Sequence, residues 1–219
     1  NLSLKMLAVI NHGDVMQEIS WKLENAQKIA DEFPYTFYKP SKEVVSQLKV
    51  GNQAKLIFEF ESDDTDAPRA ERMWVEITCI KNGVFSGYLD NDPQYIKDLK
   101  HQDSIEFNDC HIIDTDLEDP VPSITEKYIK RCFVTHNILY DGRKVGYLYR
   151  EESDYDDDSG WRFTAGDETD EYMEDSDNTS YVSLGAVLRE DDDFLPLLER
   201  EAGVAFVKDE NGNFIDLDD

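Results

Sequence analysis

Asp154, Asp156 and Asp158 stand at alternate positions of one loop, the spacing with which a chain wraps carboxylates around calcium. A calcium loop of the EF-hand type also needs Gly at its sixth position and a bidentate Glu at its twelfth. Counted from Asp154, those positions hold Ser159 and Ala165, and Gly160 comes one residue late. The run therefore reads as a solvated acidic loop, and neither a metal nor another cofactor is expected. The four histidines, His12, His101, His111 and His136, show no helical i, i+4 pair and no Cys/His cluster. His136, beside Thr135 on an expected strand, reads as a structural histidine. Cys132 has Arg131 next to it, a cation that lowers a thiol pKa, but a lone cysteine is more often a packing residue. There is no G-x-S-x-G, no P-loop and no G-x-G-x-x-G. With 49 acidic residues, carboxylate pairs fit for acid–base work occur by chance alone, so no catalytic set is assigned.

The residues that stand out are suited to binding. Between Glu151 and Asp177 lie thirteen Asp or Glu and one basic residue, Arg162, which sits in the run Gly160-Trp161-Arg162-Phe163. Trp and Arg are the side chains that anchor protein interfaces, and Tyr172 and Met173 add apolar surface. Trp161 and Phe163 also alternate as one face of a strand does, so core packing competes with exposure. Acids from Asp167 to Glu171 suit the first turn of a helix, where the dipole favours them, but the acidity continues to Asp177. Surplus like charge opposes compaction, so a chain that keeps it has a use for it. The expected partner contacts are Trp161, Arg162, Asp167, Glu168, Glu171 and Tyr172, joined by Tyr88 and the corner Asn91-Asp92-Pro93.

Whole-chain composition points the same way. The 219 residues carry a formal charge of −27, with 40% hydrophobic and 11% aromatic residues. That is enough apolar material for folded cores. Residues 1–126 hold 24 acidic and 12 basic groups, and residues 127–219 hold 25 and 10, so both halves are acidic. Such a field repels nucleic acid and anionic lipid and attracts basic partners. Cys79, Cys110 and Cys132 form an odd set without C-x-x-C spacing, as expected of free thiols in a reducing compartment. No apolar run reaches the roughly 18 residues of a membrane span. "LKMLAVI" reads as a strand rather than a signal peptide.

The elements that would position these residues follow from periodicity. Ile19, Leu23, Ala26, Ala30 and Phe33 predict a helix over 20–33 that Pro34 ends. Ser41 caps a second, short helix, and "KLIFEFE" alternates as a strand. "MWVEITCI" and "VFSGYLD" flank Asn82-Gly83, a strong hairpin signal. "DPQYIKDL" predicts a helical turn and "SIEFNDCHII" a closing strand. The acidic, proline-bearing stretch 114–123 marks a boundary. Beyond it come a short helix near Glu126, a hairpin at Asp141-Gly142, and the strand "GWRFTAG". Helices follow in "DETDEYMEDSDN", "SLGAVL" and "DDDFLPLLERE", the last with Asp191 to Asp193 at its N-terminus. A final hairpin turns at Asn211-Gly212. The expected fold class is α+β: two small domains, 1–120 and 124–219, each a mainly antiparallel sheet with short helices packed on it.

These residues also carry a resemblance. From "VTHNILYDGRKVGYLYREE" through G-W-R-F-x-x-G-D-E-x-x-E-Y (Gly160 to Tyr172) to "GVAFVKDENGNF", residues 130–215 resemble bacterial domain-of-unknown-function family 2185, whose members are assigned as immunity proteins of toxin systems. Trp74, the Asn82-Gly83 hairpin and the corner from Leu89 to Pro93 are similar to family 2314, another uncharacterised bacterial family. The resemblance implies a cytoplasmic, non-enzymatic binding protein that neutralises a cognate toxin by covering its surface, and it supplies no catalytic residues. The competing expectation is a metal-dependent enzyme or small-ligand protein with its site between the two domains. The oligomeric state is left open.

Overall fold

The structure, a computed structural model, describes residues 19–62, 64 and 66–217. The expected strand in "LKMLAVI" and His12 lie outside them. The N-terminal half builds one antiparallel sheet from β1 (Trp21–Leu23), β2 (Gln53–Phe60), β3 (Ala70–Lys81), β4 (Val84–Leu89), β5 (Ser104–Asn108) and β6 (Ile112–Thr115). The strand order is β1-β2-β3-β4-β5, and β6 also pairs with β2. Alternate residues of β2, from Ala54 to Phe60, are buried with Met73, Val75 and Ile77 of β3. Phe85 and Phe107 stack behind them at 5.3 Å between ring centroids. Asn82 and Gly83 join β3 to β4 with φ of 54° and 80°, the two-residue turn the Asn-Gly pair predicts.

The predicted helix over 20–33 is shorter. Trp21–Leu23 pairs with Phe58–Phe60, and only Ala26–Glu32 is helical (α1), because Asn25 caps it by accepting the Lys28 N–H at 3.1 Å. Tertiary strand pairing overrides the helical stripe there. α2 (Lys42–Val45) starts where expected, with the Ser41 hydroxyl accepting the Val44 N–H. "SIEFNDCHII" is two strands rather than one, broken by a tight turn at Asp109–His111 in which His111 Nδ1 accepts the Asn108 N–H. "DPQYIKDL" forms no helix; the Glu71 carboxylate accepts the N–H groups of Gln94 and Tyr95.

The C-terminal half contains α3 (Ile124–Lys127), β7 (Arg131–Thr135), α4 (His136–Leu139), β8 (Tyr147–Arg150) and β9 (Asp158–Thr164). It continues with α5 (Asp170–Glu174), β10 (Thr179–Ser183), α6 (Leu184–Glu190), β11 (Val204–Lys208) and β12 (Phe214–Asp216). Its sheet has the order β10-β7-β9-β8-β11-β12 and is antiparallel except for β7 against β9. The fold class is α+β. The hairpin predicted at Asp141-Gly142 does not form: β9, whose residues 158–161 and 163 are buried, takes the central place between β7 and β8. His136–Leu139 becomes helical instead and buries Ile138. The Asn211-Gly212 hairpin forms as expected between β11 and β12. Two expected helices are mostly lost. "DDDFLPLLERE" keeps one tight turn, Leu195–Leu197, and Asp191 is buried, accepting the Val145 N–H at 2.9 Å rather than heading a helix. "DETDEYMEDSDN" keeps α5 and a turn at Ser176–Asn178.

One face of this sheet, carrying Cys132, Val134, Leu148, Trp161, Phe163 and Phe206, packs on Ile138, Val187, Leu188, Phe194 and Leu198. Residues before the expected boundary reach this core. Tyr35 lies edge-on to Tyr128 at 5.9 Å and donates its hydroxyl to Asp192 at 3.1 Å. Within the boundary segment, Asp119 accepts from the Ser41 N–H and hydroxyl and from the Tyr38 hydroxyl, so that stretch is pinned to the N-terminal half. Burial pushes the Tyr38 hydroxyl up to a pKa of about 12, and the Asp119 charge reinforces the shift.

Candidate functional site

The site region starts at Gly160. Its φ is +79°, and a Cβ there would lie 2.1 Å from the Glu151 carbonyl oxygen, so only glycine lets β9 close against the end of β8. The next residues alternate. Trp161 is 1% exposed, stacks on Phe163 at 6.1 Å, and its indole N–H has no acceptor among the described residues. Trp161 is therefore a core residue and not the surface anchor that its type suggested. The strand's alternation turns it inward, and the expectation of a contact there is corrected.

Arg162 points the other way. Its two terminal nitrogens grip both oxygens of Asp158 at 3.0 and 2.8 Å, Nε reaches Glu151 at 2.8 Å, and the guanidinium lies 4.9 Å from the Phe133 ring centroid. The Arg162 bond holds the Asp158 carboxyl down at about 2, with further help from the Gly160 N–H and the Ser153 hydroxyl. Asp158 thus faces inward to Arg162 while Asp154 and Asp156 are exposed, so the alternate acids do not converge. No group of three or more His, Cys, Asp or Glu able to hold a metal is found among the described residues. Burial pushes the Cys132 thiol up, against the opposing pull of the Arg162 guanidinium, so it is held as a packing thiol. His136 meets the Ser180 hydroxyl at 2.9 Å from the start of α4, not from a strand.

The acids after β9 divide into two kinds. Asp167 pairs with Arg143 at 2.6 Å. Glu168 is a staple: it accepts the Ala165 N–H at 2.7 Å, the Gly166 N–H at 2.8 Å and the Thr135 hydroxyl at 2.7 Å. Burial pushes its carboxyl up, but those bonds outweigh it and leave the pKa lowered. Tyr172 is half-buried, its hydroxyl accepting the Asn137 N–H. Glu171 is exposed. In the N-terminal half Tyr88 and Asp92 are exposed, whereas Asn91 accepts the Trp74 N–H at 2.6 Å and so fixes the corner. The ten expected contacts divide: Trp161 is core, Arg162, Asn91, Asp167 and Glu168 are engaged internally, Glu171 and Tyr172 lie on α5, and Tyr88, Asp92 and Pro93 lie on β4 and the corner after it.

Sequence reasoning missed the sheet face opposite the core. Tyr181 aligns with Phe133, Phe133 with Arg162, Arg162 with Tyr149, and Tyr149 with Ala205 across five strands. Phe133 and Tyr181 rings sit 4.8 Å apart, and Arg131 lies 5.4 Å from the Tyr181 ring. Phe133, Ile215 and Leu217 are 42%, 50% and 53% exposed. The signal was present in "RCFVT", "YLYR" and "SYVS". Each of these strands is apolar at both odd and even positions, whereas a half-solvated antiparallel strand carries polar residues on its outer face.

Residues 132–218 match a family model described as the Immunity protein Imm33 domain. Residues 16–119 match one described as an uncharacterized protein conserved in bacteria, DUF2314. The expectation of family 2314 in the N-terminal half thus holds. The expected number 2185 is not the one matched, although the immunity character is. No curated protein and no solved structure matches the chain. Among the described residues no helix is long and apolar enough to cross a membrane. The chain is thus similar to immunity protein domains over its C-terminal unit and to an uncharacterised bacterial family over its N-terminal one.

Proposed function

We propose that this chain is a non-enzymatic, cytoplasmic immunity protein that neutralises a cognate bacterial toxin by binding and covering a basic surface on it. The observation that carries the reading is the immunity-domain match over residues 132–218, on a sheet-and-helix unit whose surface is dense in carboxylates. The overall charge of −27 supplies long-range attraction to a cationic partner, which speeds encounter and selects partners more than it adds affinity. The proposal keeps the division into units 1–120 and 124–219, with binding placed on the second unit. The N-terminal unit supports it through Tyr35, whose ring meets Tyr128.

Co-expression with the product of the adjacent gene tests this. Growth rescue together with co-purification is the expected result. A neighbouring product that is not toxic, or that stays toxic and unbound in the presence of this chain, removes the reading.

A further inference from the structure

We propose that the outer face of the C-terminal sheet, and not the acidic segment of α5, is the docking surface, and that its occupant is a basic protein that inserts an Arg or Lys side chain beside Phe133 and Tyr181. This inference rests on the immunity reading and names the surface and chemistry it requires. The helices α4 and α6 pack on the core side of the sheet. The opposite face presents Tyr181, Phe133, Arg162 and Tyr149 as one cross-strand row. A second row follows, with Tyr147 opposite Val207 and Val207 opposite Ile215. Phe133 is exposed and the tyrosines of the row are half-buried, and aromatic, arginine and aliphatic side chains gathered on a sheet face outside the core are what a protein interface is made of.

Charge selects the occupant. The loop between β8 and β9 rises beside this row and encloses a hollow of about 430 Å³ lined by Phe133, Tyr181, Arg162, Tyr155 and the loop's carboxylates. Arg162 neutralises Asp158 and shares Glu151. Of the other carboxylates lining the hollow, Glu152, Asp154 and Asp157 form no ion pair among the described residues. The hollow is thus lined by aromatic rings and, beside the Arg162 pairs, by three carboxylates without an ion pair among the described residues, which suits a partner's guanidinium or ammonium group. Such a group gains ring-face attraction and charge pairing together. By contrast, α5 has five residues, and the acids flanking it at Asp167 and Glu168 are already bound.

The test uses the full chain co-expressed with the adjacent gene's product, reading growth rescue and the dissociation constant of the purified pair. Phe133→Asp, and separately the triple reversal Glu152→Lys, Asp154→Lys, Asp157→Lys, are expected to weaken binding at least tenfold and abolish rescue. The loop reversal touches no core residue, so it separates lost binding from lost folding, and thermal melts of each variant confirm this. The reversal Asp170→Lys, Glu174→Lys in α5 is expected to change binding less than threefold. Rescue by wild type and by both face variants alike overturns the docking surface while leaving the immunity reading intact. Failure of the wild type to bind or rescue removes the immunity reading and this surface with it. If sedimentation shows the chain alone to be a dimer that Phe133→Asp splits, the occupant is a second copy, and the proposal is likewise overturned.

Discussion

Asp158 and Arg162 show how a motif residue comes to serve structure. The pair is two-pronged, nearly removed from water, and placed four residues apart so that β9 and the turn before it hold each other. Removing one partner of such a pair leaves the other charge poorly compensated. Asp158→Ala should therefore destabilise the protein toward the low end of the roughly 3–5 kcal/mol typical of buried pairs, since Glu151 still contacts Arg162. Chemical denaturation measures it. The pH dependence follows from the sign of the shift. The folded pKa of about 2 lies below the ordinary carboxylate value of roughly 3.9. The pair's contribution is therefore complete above about pH 4 and is lost as pH falls toward 2. In Asp158→Asn that acid-side loss should shrink, which a series of melts from pH 6 to pH 2 will show. Gly160→Ala should be costly for a different reason, since its Cβ would meet the Glu151 carbonyl at 2.1 Å and force β8 and β9 apart.

At the scale of elements, the sequence was legible where local chemistry decides and misleading where pairing partners decide. Ser41, Asn82-Gly83 and Asn211-Gly212 act through their own hydroxyl or backbone, and the cap and both hairpins form as read. The hairpin at Asp141-Gly142 fails because Gly142 turns the chain from α4 into β8 while a later strand fills the gap beside β7. No local pattern announces that insertion. The same limit hid the aromatic row, which exists only once β10, β7, β9 and β8 are set side by side. Acidity near Trp161 was read as surface chemistry, yet Glu168 is a loop staple. Glu168→Gln keeps the shape but weakens three bonds, and should lower stability by about 1–2 kcal/mol. At the junction of the halves, a Cβ on Gly185 would lie 2.5 Å from the Tyr35 carbonyl oxygen. Gly185→Val should therefore cost about 1–3 kcal/mol by prising α6 from that segment, detectable as a lowered melting temperature.

For the whole molecule, the central feature is a strongly negative body with an aromatic outer sheet face, beside which Glu152, Asp154 and Asp157 form no ion pair among the described residues. Such a body attracts a cationic partner over roughly 10 Å at 0.1 M salt, and over less at higher salt. The most direct measurement is the association rate with the adjacent gene's product as ionic strength rises from 50 to 500 mM. The account predicts a fall of about tenfold or more, and a similar slowing at low salt when Glu152, Asp154, Asp156 and Asp157 are neutralised together. An association rate that stays flat across that range, in wild type and neutralised protein alike, would contradict it.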